Sequence, residues 1–365
     1  MSKIVISGYY GFANAGDEAM LTAIVKALRS KDASVNLTVI SGNPEATAAR
    51  HCVASIHRFN PLAIISAIRS SDLLLSGGGS LLQDVTSKKS LLYYLSVLAL
   101  ARWFGKKVML FGQGIGPINS GILRRLTRFV CSSADMITVR DTDSLEELRK
   151  IGIPSEKVCL TADAVLTLPQ APLQQGRQLL QKFAVPEQKK LIAISVRQWP
   201  GESHYLEELA KAADLLTEKY QAHLVLLPLQ YPADVAVCKK LQQYLKHRSS
   251  STVLDMPCDT EQFLSLMGNF SLLIGMRLHA LIFASVMHVP FAAVSYDPKI
   301  DGFIKEVSGI SAGQVGSLEA LHVVEAAEKA VQGTDICWQR LEGLRCQAMK
   351  NVSMAFGLLQ DSKSV

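Results

Sequence analysis

The stretch Phe270-Ser271-Leu272-Leu273-Ile274-Gly275-Met276-Arg277-Leu278-His279 limits most tightly what this chain can fold into. The apolar run over residues 270–274 reads as a strand buried on both faces, which points to a parallel sheet covered by helices. Gly275 breaks the run, and apolar residues at helical period follow over 278–287. Arg277 therefore falls in a strand-to-helix turn and His279 in the first helical turn. In open α/β sheets ligands bind at that edge, and a helix N-terminus offers N–H groups and a positive dipole end to an anion. Taken alone, the pair fits equally well an Arg that holds a loop and a buried His bonded to a backbone carbonyl.

The same strand, turn and helix recurs along the chain. Residues 3–7 are a β-rich run that ends in Gly8-Tyr9-Tyr10-Gly11, and a helix with Met20, Ile24, Val25 and Leu28 on one face follows. This turn has neither the Gly-x-Gly-x-x-Gly fingerprint nor a P-loop lysine. Asp17 and Glu18 suit the positive end of that helix as caps, and their alternative role is to bind sugar hydroxyls. Residues 37–40 and 72–76 read as further strands, the latter running into Gly77-Gly78-Gly79-Ser80-Leu81-Leu82-Gln83-Asp84. Successive glycines at a strand end mean close approach to the backbone or a turn that needs positive φ. Residues 107–111 end in Gly112-Gln113-Gly114, and residues 135–139 end in Arg140-Asp141, with Asp141 placed to cap the next helix.

Pro169, Pro172, Gly176 and Pro186 mark a domain boundary between residues 168 and 189. A second series then begins. Its strands are expected at 191–196, running into Arg197, and at 223–227, 252–254, 270–274 and 290–295, the last leading into Tyr296-Asp297-Pro298-Lys299. The expected fold class is α/β, with two Rossmann-like domains facing across a cleft in a GT-B-like arrangement. The domains are placed at residues 1–168 and 186–335, with a C-terminal helical segment, 336–365, packing back on the first.

A hydrophobic content of 48% with 19% charged residues fits a core-forming protein. The net charge of +6, without a Lys/Arg block, disfavours nucleic acid and leaves small acidic substrates or an anionic membrane surface. Seven scattered cysteines without a Cys-x-x-Cys pair suggest neither a disulfide framework nor a zinc site, and no metal is expected. Without a signal-peptide layout or an apolar run of membrane-spanning length, the expectation is a cytoplasmic protein. The basic helix at Arg124, Arg125 and Arg128 and the stretch Arg102-Trp103-Phe104-Gly105-Lys106-Lys107 are either solvated faces or peripheral contacts with the inner face of a membrane.

Together these blocks resemble the polysaccharide pyruvyl transferases, in particular the CsaB-type enzymes of cell-wall polymer synthesis. The resemblance runs from Gly8-Tyr9-Tyr10-Gly11 and Asn14-Ala15-Gly16-Asp17-Glu18 through Ser76-Gly77-Gly78-Gly79-Ser80, Gly112-Gln113-Gly114-Ile115-Gly116-Pro117 and Val139-Arg140-Asp141. It continues to Ser195-Val196-Arg197 and Gly275-Met276-Arg277-Leu278-His279-Ala280. It implies phosphoenolpyruvate as donor substrate and no further cofactor. The acceptor it implies is a lipid-linked sugar, N-acetylmannosamine in the CsaB type, which gains pyruvate as a cyclic ketal. The modified polymer anchors surface-layer proteins.

Phosphoenolpyruvate carries a phosphate and a carboxylate close together, so its site needs fixed cations, and the planar fork of Arg suits both groups. Arg197, Arg277, Leu278 and His279 are the expected donor contacts, with Lys299 at a further strand end. His279 is assigned as the general acid that protonates the donor's methylene carbon, with Lys299 next in line. Arg140, from the other domain, is expected to stabilise charge or position the acceptor. Asn14, Asp17, Glu18, Gly78, Gln83 and Gln113 are the expected acceptor contacts. The competing readings are a GT-B glycosyltransferase or sugar-nucleotide epimerase, which share the fold class, and a non-catalytic carbohydrate-binding protein, which needs no cation cluster.

Overall fold

A computed structural model describes residues 1–200, 202–333 and 338–361 of the chain. These form two compact units. The first comprises Met1–Phe12, Asp17–Thr167 and Gly343–Val365, and the second Ala13–Gly16 and Leu168–Glu342.

The first unit alternates strands and helices in the order β1 (Lys3–Ser7), α1 (Ala15–Lys31), β2 (Asn36–Ser41), α2 (Pro44–His51), β3 (Ala54–His57), α3 (Pro61–Ser70) and β4 (Leu73–Ser76). It continues with β5 (Gly79–Leu82), α4 (Lys88–Trp103), β6 (Lys107–Ile115), α5 (Gly121–Ser132), β7 (Met136–Val139), α6 (Thr142–Ile151) and β8 (Val158–Leu160). The sheet runs β3-β2-β1-β4-β6-β7-β8, with β5 on β6. Every pairing is parallel. Strand order reverses between β1 and β4, the position at which a doubly wound sheet opens a crevice beyond its strand ends. Leu73, Leu74 and Leu75 are all 0% exposed, as expected of a strand covered on both faces. Asp141 caps α6, accepting from the Ser144 N–H at 2.7 Å, in the role its place in the sequence suggests.

One announced strand runs well past its expected end. The strand expected to end at residue 111 continues as β6 to Ile115. Gly112 adopts φ 54°, which bends the strand without ending it, and the register with β7 shifts between Leu110 and Gln113. Gln113 thus lies inside a strand.

The second unit holds α7 (Gln174–Lys182), β9 (Leu191–Ser195), α8 (Glu202–Tyr220), β10 (His223–Leu226), α9 (Ala233–Tyr244), β11 (Ser251–Val253) and α10 (Thr260–Met267). It then adds β12 (Leu272–Gly275), α11 (Leu278–Val286), β13 (Phe291–Ser295), α12 (Pro298–Val307), β14 (Ile310–Gln314) and α13 (Ala320–Gln332). Its sheet, β11-β10-β9-β12-β13-β14, is parallel throughout. The order reverses between β9 and β12, where Ser195 is in register with Gly275. The last helix is α14 (Trp338–Asp361). From Gly343 onward it belongs to the first unit, where the fully buried Asn351 accepts from Thr161 Oγ1 at 3.1 Å. Of the segment 336–365, residues 336, 337 and 362–365 lie outside the described residues.

Candidate active site

The C-terminal edge of the second sheet gathers the cations. Arg197 and Arg277 each follow by two residues the register pair Ser195 and Gly275, so they flank the switch point from adjacent strands. Arg277 is the N-cap residue of α11, with extended backbone (φ −84°, ψ 125°), and His279 stands in the first turn of that helix. The Arg277 guanidinium pairs with Asp234, from the first turn of α9, and donates to Gln230 Oε1 at 3.4 Å. Its side chain is 16% exposed, so without Asp234 a nearly buried charge would stand uncompensated. Arg197 lies on Tyr296, with Cζ 4.6 Å from the ring centroid and Nη1 donating to Oη at 2.9 Å. Tyr205 Oη donates to the Arg197 carbonyl at 2.7 Å, which fixes the backbone beneath it.

Three polar groups at this edge are buried and have no hydrogen-bond partner among the described residues: Arg197 Nε, Arg277 Nε and Ser195 Oγ. Most buried donors in proteins are satisfied, and a cluster that is not calls for a reason. All three are donors beside the β9/β12 switch point, an arrangement suited to an anion with several oxygens.

His279 is held by a segment far away in sequence. Ala13–Gly16, the end of the loop after β1 with the first two residues of α1, belongs to the second unit. Ala15 N donates to Leu229 O at 2.8 Å, Tyr231 N donates to Ala13 O at 3.2 Å, and Asn14 forms an antiparallel bridge with Gln230. This seats Gly16 against the imidazole: a Cβ at Gly16 would lie 2.1 Å from His279 Nδ1 and 2.5 Å from Cγ. The glycine is required here by the ring rather than by a positive φ. Asn14, expected as an acceptor contact, closes the turn by accepting from Gly16 N at 3.1 Å.

Lys299 stands in the first turn of α12, behind its N-cap Asp297, and its Nζ pairs with Asp297 Oδ2 at 3.0 Å. At 29% side-chain exposure it is accessible, with its charge balanced by a neighbour.

In the first unit the expected site residues have partners within the protein. Arg140 is 5% exposed and pairs with Asp163 at 2.8 Å and Asp141 at 3.4 Å. Burial works against its charge, and the two carboxylates outweigh burial and raise its pKa. Within the unit it also donates to Ser80 Oγ at 3.2 Å, which ties it to the loop after β4, while its Nε is buried without a hydrogen-bond partner among the described residues. Gln113 is 0% exposed and donates to Ser76 Oγ at 2.7 Å and Gly77 O at 3.1 Å, which makes it a brace for the glycine turn. Gly78 is buried, and a Cβ there would strike Met20 Sδ at 2.4 Å; it serves packing. Gln83 turns its amide onto Thr86, accepting from the Thr86 N–H at 2.9 Å.

Glu18 is buried and accepts from the Gly11 N–H at 2.7 Å, which holds the loop ahead of α1, a contact neither of its two sequence roles named. Burial raises its pKa, against the pull of the Gly11 N–H and Arg50. Asp17, half-buried beside the glycine turn, is the remaining expected acceptor contact on this edge.

Sequence reasoning missed Asp234, Gln230 and Tyr296 as partners of the two arginines, and Asp163 as the partner of Arg140. The available signal was position. Gln230 and Asp234 follow β10, and Tyr296 follows β13, at the same sheet edge.

Comparison with known proteins adds four findings. The amylovoran biosynthesis protein AmsJ of Erwinia amylovora is 24% identical over 361 residues, covering 84% of this chain and 86% of its own. A UDP-GlcNAc 2-epimerase from Methanocaldococcus jannaschii superposes with a TM-score of 0.70 at 12% identity, covering 97% of this chain and 99% of that one. S. aureus MnaA with UDP gives 0.64 at 15% identity, over 95% and 91%. At such identities the two structures establish the fold alone, a GT-B-like pair of α/β units. The sequence model of the polysaccharide pyruvyl transferase family matches residues 14–298, well over half of the chain, which therefore belongs to that family.

Proposed function

We propose that the chain transfers the pyruvyl group of phosphoenolpyruvate to two hydroxyls of one sugar in a polysaccharide precursor, forming a cyclic ketal and releasing phosphate. The acceptor is the N-acetylmannosamine of a lipid-linked cell-wall precursor, as in the CsaB-type enzymes that the sequence resembles. The donor binds at the β9/β12 edge. The observation that carries this reading is the set of buried donors without acceptors there, Arg197 Nε, Arg277 Nε and Ser195 Oγ. A compact dianion or trianion supplies the oxygens they need.

In this mechanism His279 gives a proton to the methylene carbon, which becomes the methyl group. The central carbon gains cationic character, a sugar hydroxyl attacks it, and the proton that hydroxyl loses returns to the now neutral His279. The C–O bond to phosphate breaks, a second hydroxyl closes the ring, and its proton leaves with phosphate. Gly16 keeps the imidazole in place by offering no side chain against it.

The test is incubation with phosphoenolpyruvate and a synthetic N-acetylmannosamine lipid-diphosphate analogue. The expected acceptor gains the mass of one pyruvate less one water, with one phosphate released per turnover. Thermal protection by a uridine diphosphate sugar and not by phosphoenolpyruvate would overturn the donor assignment.

A further inference from the structure

Helices α3, α4 and α5 cover one face of the first unit's sheet, sharing one buried cluster, and α4 packs against both of the others. Their cations are Arg69 on α3, Lys88, Lys89 and Arg102 on α4, and Arg124, Arg125 and Arg128 on α5; none of the three contains Asp or Glu. The acidic residues Asp143, Glu146 and Glu147 stand on α6, which shares the same cluster at the border of α5. The chain as a whole has 32 acidic residues against 38 basic, so an acid-free layer is a local feature. Glu147 neutralises Arg124 and Asp135 neutralises Arg102, each at 2.8 Å from a neighbouring element. Arg69, Lys89, Arg125 and Arg128 form no ion pair among the described residues.

Between these cations stand large apolar side chains in water. Trp103 is 82% exposed, Ile122, Phe129 and Leu62 are each 78%, and Phe59 is 72%. On α5, Ile122 and Phe129 are two turns apart with Arg125 between them, while Leu123, Val130 and Cys131 turn inward. The helix is thus apolar on both sides, with cations interleaved on the outer one. Between α3 and α4 the face is indented by a groove of about 300 Å³, lined by Phe59, Ile64, Ile65, Val97 and Leu100. Arg58 stands at this groove with Cζ 4.5 Å from the Tyr93 ring.

We propose that the α3–α4–α5 face docks on an anionic phospholipid bilayer, with its cations among the headgroups and Trp103, Phe129 and Ile122 inserted shallowly. Cations supply long-range attraction and interfacial aromatics supply apolar insertion, which is the pairing a peripheral membrane surface needs. A second copy of the chain is disfavoured, because a two-fold contact would bring two acid-free faces together. Nucleic acid would leave Ile122 and Leu62 without a counterpart. The inference does not depend on the transfer chemistry, although a lipid-linked acceptor would place the enzyme at such a surface.

The test is co-sedimentation with phosphatidylglycerol–phosphatidylcholine vesicles and with pure phosphatidylcholine vesicles, with thermal unfolding of each variant as a check on folding. The expected result is binding to the anionic vesicles only, weakened by added salt. Arg125→Glu/Arg128→Glu lowers partitioning by at least roughly five-fold for each cation removed. Trp103→Ala/Phe129→Ala lowers it as well and abolishes a vesicle-induced blue shift in tryptophan emission. No sedimentation of the native protein with anionic vesicles, or equal sedimentation of folded variants and native protein, overturns the proposal. So does concentration-dependent dimerisation that these substitutions remove while native protein ignores vesicles.

Discussion

Gly16→Ala tests the site through a single added methyl group. The new Cβ would stand 2.1 Å from His279 Nδ1, 2.5 Å from Cγ and 2.8 Å from Cε1. Comfortable contact needs roughly 3.5 Å, so methyl and ring must separate by more than roughly 1 Å. The backbone resists moving, because Ala15 N is bonded to Leu229 O at 2.8 Å and Asn14 is bridged to Gln230. The imidazole therefore moves. A displacement of that size at a proton donor costs on the order of 10²-fold in turnover, while Arg197 and Arg277, on other side-chain contacts, keep the donor bound. The expected outcome is a kcat lowered by about two orders of magnitude with KM for phosphoenolpyruvate little changed, read by phosphate release. Gly16 lies in α1, where Ala is the better helix former by about 1 kcal/mol, so helix propensity does not work against the variant. Gly357→Ala in α14, whose Cβ would meet nothing within 4 Å, is the control and should retain activity. A Gly16→Ala enzyme with unchanged melting temperature and kcat within three-fold of native would refute the placement of His279 as the acid.

Arg197→Ala and Arg277→Ala should each weaken phosphoenolpyruvate binding by roughly 1.5–3 kcal/mol in calorimetry, with Arg197→Ala the larger, and unchanged affinity in both would remove the donor site. His279→Gln should keep donor binding and lose at least roughly 10²-fold in turnover, and the native product made in heavy water should carry solvent deuterium in its methyl group. A methyl group free of deuterium would defeat protonation at carbon by any residue. His51 should make stability depend on pH: burial, and then Arg50, Arg29 and Lys26, lower its pKa from 6.5 to about 4. The unfolded chain then binds the extra proton first, so this contribution is complete above about pH 6.5 and is lost as pH falls to about 4. Its size is at most roughly 3 kcal/mol, and subtracting denaturation curves of His51→Gln from native curves across that window should reveal it or disprove it.

The order of elements was legible because central parallel strands are apolar on both faces. Leu73-Leu74-Leu75 and Leu272-Leu273-Ile274 could hardly read otherwise. Besides β5, which the glycine turn hid, the strands the sequence did not announce, β3, β8 and β14, lie at sheet edges, where Ala54-Ser55-Ile56-His57 and Ile310-Ser311-Ala312-Gly313-Gln314 are part exposed and need no apolar run. At the site, the turn position of Arg277 and the helical position of His279 followed from one glycine and a change of period. Burial did not. Nothing adjacent to Arg140 reveals that Asp163, 23 residues later, takes its guanidinium, or that a bent β6 carries Gln113 indoors. Pairings of that kind are set by strand order, which local spacing does not encode.

Charge balance explains why the two arginines should differ. Arg277 and Lys299 each carry a carboxylate of their own, Asp234 and Asp297, so an arriving anion must share those cations with groups already holding them. Arg197 has no ion pair among the described residues and rests on the Tyr296 ring. An aromatic face orients a guanidinium and shields it from water, yet it leaves the full positive charge to interact with a ligand. An anion docking at this edge would meet an uncompensated charge just beyond β9 and compensated ones beyond β12 and β13. That difference favours Arg197 as the main electrostatic anchor and gives Arg277, held by Asp234 and Gln230, the work of orientation. Removing Asp234 would free Arg277's charge and loosen its geometry at once, raising attraction for the donor while blurring where it sits.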